Sequence, residues 1–499
     1  MQVSSDVVGE LIVDNSEWKV SFSLSILHSQ FSIMDNKVIR TRIAPSPTGE
    51  DLHVGNLYTA YLCYVYAKKH TGQFIIRVED TDRERLVAGS EDRILKTLEE
   101  YGIIADESPV IGGPYAPYRQ SDRLSVYKEY IKVLLENKTA YYCICTKERL
   151  DELRMSQQAA KQTPRYDKHC LTRQDEVSQK IKEGSPYVVR LDIPKNEEVI
   201  FTDIVRGEIK FSTNDLDDQV LMKSDGFPTY HFAVVVDDYL MKITHILRGD
   251  DWISSTPKHV LLYKAFGWEL PVFCHVPLLR NPDKSKLSKR KNPVWSHWYL
   301  EQGFLSEAML NFLVLMGWSH PEGKEIFSKE EFQQFFDIKD LKPVGPAFDT
   351  VKLKWMNQQY IQNLSDQELK DKLVGFSTEI KADYDGELLN KLMPLVKTRM
   401  ETLRDFITLT SHFVKEPDIT PRNDQEKEVI TSLIDSFEKL EQWKTEEILL
   451  VLRQVMETYH IRMPILYYVL TGEERGLPLP ESIEILGKEK TITRLQKLT

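Results

Sequence analysis

The chain has 499 residues and a net charge of -11 from 76 acidic and 65 basic side chains, which is too long for one hydrophobic core and too acidic for a bulk nucleic-acid coat, yet compatible with a local basic groove. Five irregularly spaced cysteines exclude a secreted disulfide framework and point to a reducing cytoplasm. No apolar run reaches the ~18 residues of a membrane span, so no membrane partner is expected.

Residues 1–33 contain no arginine and several acids, the wrong balance for a transit peptide, and they lack a basic start with a cleavable apolar core. They read as an N-terminal extension. Met34, just ahead of a strong strand pattern, is the expected initiator. From Val38 the segment VIRTRIAPS predicts a strand. A Pro and Gly turn follows, then a helix over about 53–70, a strand in QFIIRVED and a helix around 91–101. That alternation predicts a parallel sheet with helices on its faces.

Between about Gly112 and Asp225 the rhythm changes to helices and short β-rich pieces such as YVVRLDI and IFTDIVRGEIKF, which reads as an insertion. Alternation resumes with THILRGDD, the helix STPKHVLLYKAFGW and the strand VFCHVPLL. A split Rossmann-like α/β sheet is the economical reading. Beyond Ser306 the chain turns helical, and Ser328 with Glu331 and Ser365 with Glu368 have capping-box spacing. The expected organisation is 1–33 extension, 34–111 and 226–284 as the two halves of the sheet domain, 112–225 inserted, 285–365 following the sheet, and helical domains over 366–442 and 443–499.

Four stretches carry candidate chemistry. In RIAPSPTGEDLHVGN, His53 and Gly55 open a helix whose free N–H groups and dipole favour a phosphate; a plain strand-to-helix connection capped by His53 is the alternative. In RVEDTDRER, Glu79, Asp80 and Asp82 stand at a strand's C-terminal end, where α/β sheets bind ligands, and can hold an ammonium, hold a metal or simply be solvated. In the third, Tyr230 and Arg248 can face one crevice; Arg248 suits a carboxylate or pairs locally with Asp250 or Asp251. The fourth, NPDKSKLSKRKNPV, sets Lys284, Lys286, Lys289, Arg290 and Lys291 within eight residues, a crowding that an anion would relieve.

Taken together, HVGN (53–56) and KLSKR (286–290) resemble the two signature elements of class I aminoacyl-tRNA synthetases. RIAPSPTG, RVEDTDR, GGPYAPYRQSDRL, SDGFPTYHFA, RGDDWISSTP, LLRNPDKSKLSKRK and LMGWSHPEGKEIFS resemble the bacterial-type glutamyl branch of that class, from about Val38 nearly to the C-terminus. The resemblance implies a Rossmann-like catalytic domain with an inserted acceptor-binding domain, a stem-contact region over 285–365 and all-α anticodon-binding domains. It also implies a cytoplasmic, monomeric enzyme that joins L-glutamate to tRNA-Glu at the expense of ATP and Mg²⁺. His53, Lys286 and Lys289 are then catalytic. His53, Gly55, Asn56, Lys286, Ser288, Lys289 and Arg290 bind ATP. Arg42, Ala44, Ser46, Glu79, Tyr230 and Arg248 bind glutamate, with Glu79 on its ammonium, and Arg399 inspects the anticodon.

Two departures from the family pattern stand out: the extra residue in Glu50–Asp51 ahead of His53, and Val234 where some members have Asn. Cys143, Cys145, Tyr166 and Cys170, with His169 to spare, resemble a zinc site of some relatives; buried structural thiols are the alternative. APSPTG and the helical tail oppose the glutaminyl branch, and a non-catalytic tRNA-binding relative is the reading from another class.

Overall fold

The computed structural model describes residues 38–283, 285, 287 and 293–499; the expected extension and the start at Met34 lie outside them. Strand β1 (Arg40–Ile43) pairs in parallel with β2 (Gln73–Ile76), and helix Val54–Lys69 makes the crossover. That helix is buried around most of its circumference, because the sheet covers one side and helices Ser306–Val314 and Lys329–Phe335 cover the other. This is why its sequence, VGNLYTAYLCYVYAKK, shows no polar stripe.

The segment between the sheet halves contributes β3 (Ala140–Cys143), β4 (Val188–Leu191), the hairpin of β5 (Glu198–Asp203) and β6 (Gly207–Ser212), and β7 (Val220–Met222). Strands β3, β4 and β7 form their own antiparallel sheet in the order β3-β4-β7. The chain then returns through β8 (His245–Gly249), helix Thr256–Phe266 and β9 (Val272–Val276), with β8 and β9 parallel.

The Thr244 N–H donates to the Arg40 carbonyl at 3.0 Å, which sets β8 beside β1. At the other side Asp203 of β5 pairs with Phe273 of β9. A two-stranded sheet, β1-β2, thus lies edge to edge with a four-stranded sheet of order β6-β5-β9-β8. The inserted segment does not stand apart from the β8–β9 sheet. Val199, Phe201 and Asp203 alternate inward along β5, and that half-apolar face is covered by packing beside β9 under helix Thr256–Phe266.

One apolar core joins the first half of the sheet to residues as far on as Met356, and a second joins the inserted segment to β8, β9 and their helices. Two further cores are all-helical, one centred on residues 361–413 and one on 429–495. Ser365 and Glu368 form a complete reciprocal capping box, whereas Ser328 caps Glu331 N–H at 3.1 Å.

Asn357 links the first core to the helical part. Fully buried in helix Thr350–Asn363, it accepts from Leu305 N–H at 2.8 Å and donates to the Glu401 carbonyl at 2.6 Å. Asn357→Ala leaves both buried backbone groups unmatched and is expected to cost about 2 kcal/mol, read as a lower urea midpoint with an unchanged slope.

Candidate active site

Crevices of parallel α/β sheets open at the C-terminal ends of the strands, and the candidate residues converge there on β1, β2 and β8. Below them lies a layer of buried charge. Arg42 on β1 is bidentate to Asp238, with Nε to Oδ1 and Nη2 to Oδ2 both at 3.1 Å. Arg77, just past β2, donates to Asp238 Oδ1 at 2.7 Å and to Glu79 Oε1 at 3.0 Å, with Asp237 3.8 Å from its Nε. Arg123 holds the other side of Asp237 at 2.7 Å.

The titration behaviour follows from this layer. Burial opposes ionisation of Asp238, but Arg42 and Arg77 outweigh it and hold the carboxyl below its ordinary value. Glu79 has less compensation: burial pushes it up to about 7 against the pull of Arg77 and Arg42. Tyr230, which opens helix Tyr230–Leu240, is pushed up to about 12 by burial and by Glu79, so it remains a neutral hydroxyl between Glu79 and Arg248.

Arg248 differs from Arg42, Arg77 and Arg123. Only 6% exposed, it donates to His275 Nε2 at 3.1 Å, to His259 Nδ1 at 3.1 Å and to the Thr256 hydroxyl at 2.8 Å. Among the described residues no carboxylate forms an ion pair with it; of Asp250 and Asp251, the local partners the sequence offered, Asp250 belongs to Arg206 at 2.7 Å. Burial accordingly lowers its pKa, the opposite direction from Arg42, where Asp238 overcomes the burial. The structure thus brings Arg42, Glu79, Tyr230 and Arg248 together, with Ala44 half-buried and Ser46 exposed on the turn above β1. Val234 is buried one turn into the Tyr230 helix.

The His53 turn flanks this crevice. His53 is the N-cap of helix Val54–Lys69 and accepts from Gly55 N–H through Nδ1 at 3.0 Å. Val54 N–H donates to the Val294 carbonyl at 2.8 Å. These two N–H groups are already engaged, which corrects the expectation of a helix start presenting free donors; the helix dipole remains. Gly55 is near its limit, since an added Cβ would lie 3.2 Å from His53 Nδ1.

The extra residue of Glu50–Asp51 is absorbed structurally. Glu50 accepts from Trp295 Nε1 at 2.9 Å, and buried Asp51 accepts from the Thr97 hydroxyl at 2.8 Å and from His297 N–H at 3.0 Å. Lys286, Ser288, Lys289 and Arg290 lie outside the described residues, but both ends of their loop are fixed. Leu287 is buried with its N–H on the Leu279 carbonyl at 3.1 Å, and Trp295 closes against the turn so tightly that a Cβ on Gly49 would meet its ring at 2.6 Å. Val294 and Trp295, which follow that loop in the chain, therefore pack on the His53 turn.

Against this geometry, the profile described as tRNA synthetases class I (E and Q), catalytic domain, matches residues 38–355, and an anticodon binding domain profile matches 358–499. A glutamate–tRNA ligase of Clostridioides difficile strain 630 is 44% identical over 485 residues, covering 92% of this chain and 98% of its own. One of Fusobacterium nucleatum is 41% identical over 500 residues, covering 93% and 97%. The chain belongs to the glutamate–tRNA ligase family of class I tRNA synthetases. The crystal structure of a glutamate tRNA ligase from Elizabethkingia meningosepticum CCUG26117 in complex with its amino acid superposes with a TM-score of 0.81 at 36% identity, covering 93% of this chain and 99% of that one. No helix among the described residues of this family member is long and apolar enough to cross a membrane.

Two further sets of candidate residues lie away from the crevice. Cys143, Cys145 and Cys170 place their sulfurs within 4.8 Å of one another. Tyr166 Oη lies 3.4 Å from Cys143 Sγ and 3.3 Å from Cys145 Sγ, and Cys145 and Cys170 sulfurs are 3.5 Å apart. His169 turns outward toward Arg173. Arg399 is exposed in the turn after helix Gly386–Val396, close enough to Tyr467 for its charge to be felt there. Its two acidic sequence neighbours are engaged elsewhere: Glu401 is held by Lys354 at 3.2 Å, and Asp405 caps the N–H groups of Glu401 and Thr402 at 2.8 Å.

Reading the sequence missed Asp203, Arg77, Asp237, Asp238, Thr256, His259 and His275. A signal was available for some of them: two adjacent acids close the apolar run VVVDD, and a lone His interrupts VFCHV.

A free-enzyme group with a pKa of about 7 appears in kcat/KM. If Glu79 must be ionised to hold an ammonium, kcat/KM for glutamate falls as pH drops below about 7, because protonation removes the anion. Glu79→Gln is expected to abolish that slope along with most of the affinity, as read in pyrophosphate exchange with tRNA present.

Proposed function

We propose that the chain joins L-glutamate to tRNA-Glu at the expense of ATP in two steps. In the first, an oxygen of the glutamate α-carboxylate attacks the α-phosphorus of ATP and pyrophosphate leaves. In the second, a terminal ribose hydroxyl of the tRNA attacks the resulting acyl carbon and AMP leaves. Phosphoryl displacement asks the protein for alignment and cations more than for covalent chemistry. His53, Gly55 and Asn56 at the helix start, and Lys286, Ser288, Lys289 and Arg290 from the loop ahead of Val294, are the proposed ATP contacts, with Mg²⁺ sharing the phosphate charge.

The observation that carries this reading is the buried Arg248 guanidinium held only by neutral acceptors. An unbalanced buried cation is costly, and a substrate carboxylate is its natural counter-charge. The α-carboxylate must stay free to attack phosphorus, so Arg248 is assigned to the side-chain carboxylate. Tyr230 assists it, Glu79 takes the ammonium, and Arg42, Ala44 and Ser46 line the crevice, with Arg42 already committed to Asp238.

Zinc is proposed in the cysteine cluster. A tetrahedral ion with Zn–S ~2.3 Å and Zn–O ~2.0 Å implies S···S near ~3.8 Å and S···O near ~3.5 Å, and the observed separations fit a Cys143, Cys145, Cys170 and Tyr166 donor set. Such a closed set is structural and would brace the inserted segment. The enzyme is proposed to act as a monomer in the cytoplasm, where tRNA and ATP are found.

Charging purified tRNA-Glu and tRNA-Gln in parallel with labelled glutamate tests the function: acceptance of tRNA-Glu alone is expected, and failure to charge either refutes it. Arg399→Gln is expected to cost about 1 to 3 kcal/mol of discrimination between the two, read from the ratio of kcat/KM values. Protein purified without added metal should carry about one zinc per chain, and Cys145→Ser should lose it; a metal-free wild type would leave the four groups as a thiol cluster.

A further inference from the structure

Arg248 binds no fixed anion, yet it does not hang free. Its Nε–H donates to His275 Nε2, so that nitrogen carries no proton and the other ring nitrogen must. His275 Nδ1 lies 2.7 Å from Asp203 Oδ2, and the His275 backbone N–H donates to the same oxygen at 2.9 Å. Asp203 therefore fixes the tautomer of His275 from the edge of the neighbouring strand β5.

A second line has the same logic. Arg248 Nη1 is 3.1 Å from His259 Nδ1, and since an arginine can only donate, His259 accepts there and bears its proton on Nε2. His259 Nε2 in turn lies 3.0 Å from His231 Nδ1, which must accept. The Thr256 hydroxyl completes the grip. His259, His275 and Thr256 are all nearly or fully buried, so no water competes for these contacts.

We propose that His259 and His275 are positioning residues that orient Arg248 through neutral nitrogens, leaving its positive charge for the substrate side chain and so making the site demand glutamate rather than glutamine. The inference rests on the reading of Arg248 as the ligand of the side-chain carboxylate. A carboxylate at either histidine position would hold the guanidinium equally well but would neutralise it. The sheet uses that solution for Arg42 and Arg77 and withholds it here. Glutamine leaves a charged, buried guanidinium without its anion, which is where rejection arises.

Isosteric pairs separate charge from packing. In His259→Glu the new carboxylate pairs with Arg248, and the KM for glutamate in tRNA-dependent pyrophosphate exchange is expected to rise about 100-fold while the KM for ATP stays as in wild type. The preference for glutamate over glutamine should shrink in parallel. His259→Gln keeps a neutral acceptor and is expected to recover most of the lost affinity. Thr256→Asp against Thr256→Asn repeats the comparison at the start of a helix, where an acid is tolerated, and so covers the case in which His259→Glu does not fold.

Equal damage in Glu and Gln, and in Asp and Asn, would overturn the inference in favour of simple packing, as would charged variants that bind glutamate normally. Arg248→Ala distinguishes this from failure of the underlying reading: retained glutamate activation there removes Arg248 from the substrate altogether. Loss of activation in Arg248→Ala alongside silent charged variants removes only the positioning role.

Discussion

The pairing of Asp238 with both Arg42 and Arg77 is the constraint on which the crevice depends. Two guanidinium groups from adjacent strands meet one carboxylate from helix Tyr230–Leu240, all of them buried. Buried charge of this kind is stable only when geometry and hydrogen bonds are nearly complete. The network therefore fixes where β1, β2 and the Tyr230 helix sit relative to one another, and with them Glu79 and Tyr230. The two strands come from the first half of the sheet and the helix from the second, so the salt bridges bind halves that the inserted segment separates in sequence.

Charge balance then stops short by one group. Arg42 and Arg77 have carboxylates and Arg123 shares Asp237 with Arg77, whereas Arg248 has histidines and a threonine. The same low dielectric that makes the paired network rigid makes the unpaired cation a strong attractor for an incoming anion. Carboxylate-paired and histidine-held arginines thus occupy one layer and differ in whether the described residues supply a counter-ion.

Around the His53 turn the described residues pack closely. Leu287 is held on Leu279, and Val294 and Trp295 grip the turn that carries His53. Glu50 and Asp51 contribute to this packing through Trp295 and His297.

How much was readable in advance depended on range. The strand and helix alternation, the capping of helix Val54–Lys69 by His53 and the box at Ser365 and Glu368 are local: a helix start needs a side-chain acceptor within a turn, so the residues announce it. The motifs around His53, Glu79, Tyr230 and Arg248 are also contiguous, and they named the residues that meet in the crevice. What the chain alone left undecided is partnership across hundreds of positions. Arg248 and Asp250 stand two residues apart, yet one faces His275 and the other Arg206. That Arg42 forks onto Asp238, far along the chain, is not written in either local segment. The IFTDIVRGEIKF hairpin reads as part of an insertion until β5 pairs with β9. Sequence spacing determines which groups a short segment presents, because backbone periodicity is local; burial and charge pairing are set by which distant segments share the core, and only the tertiary structure decided which cation would be left for a ligand.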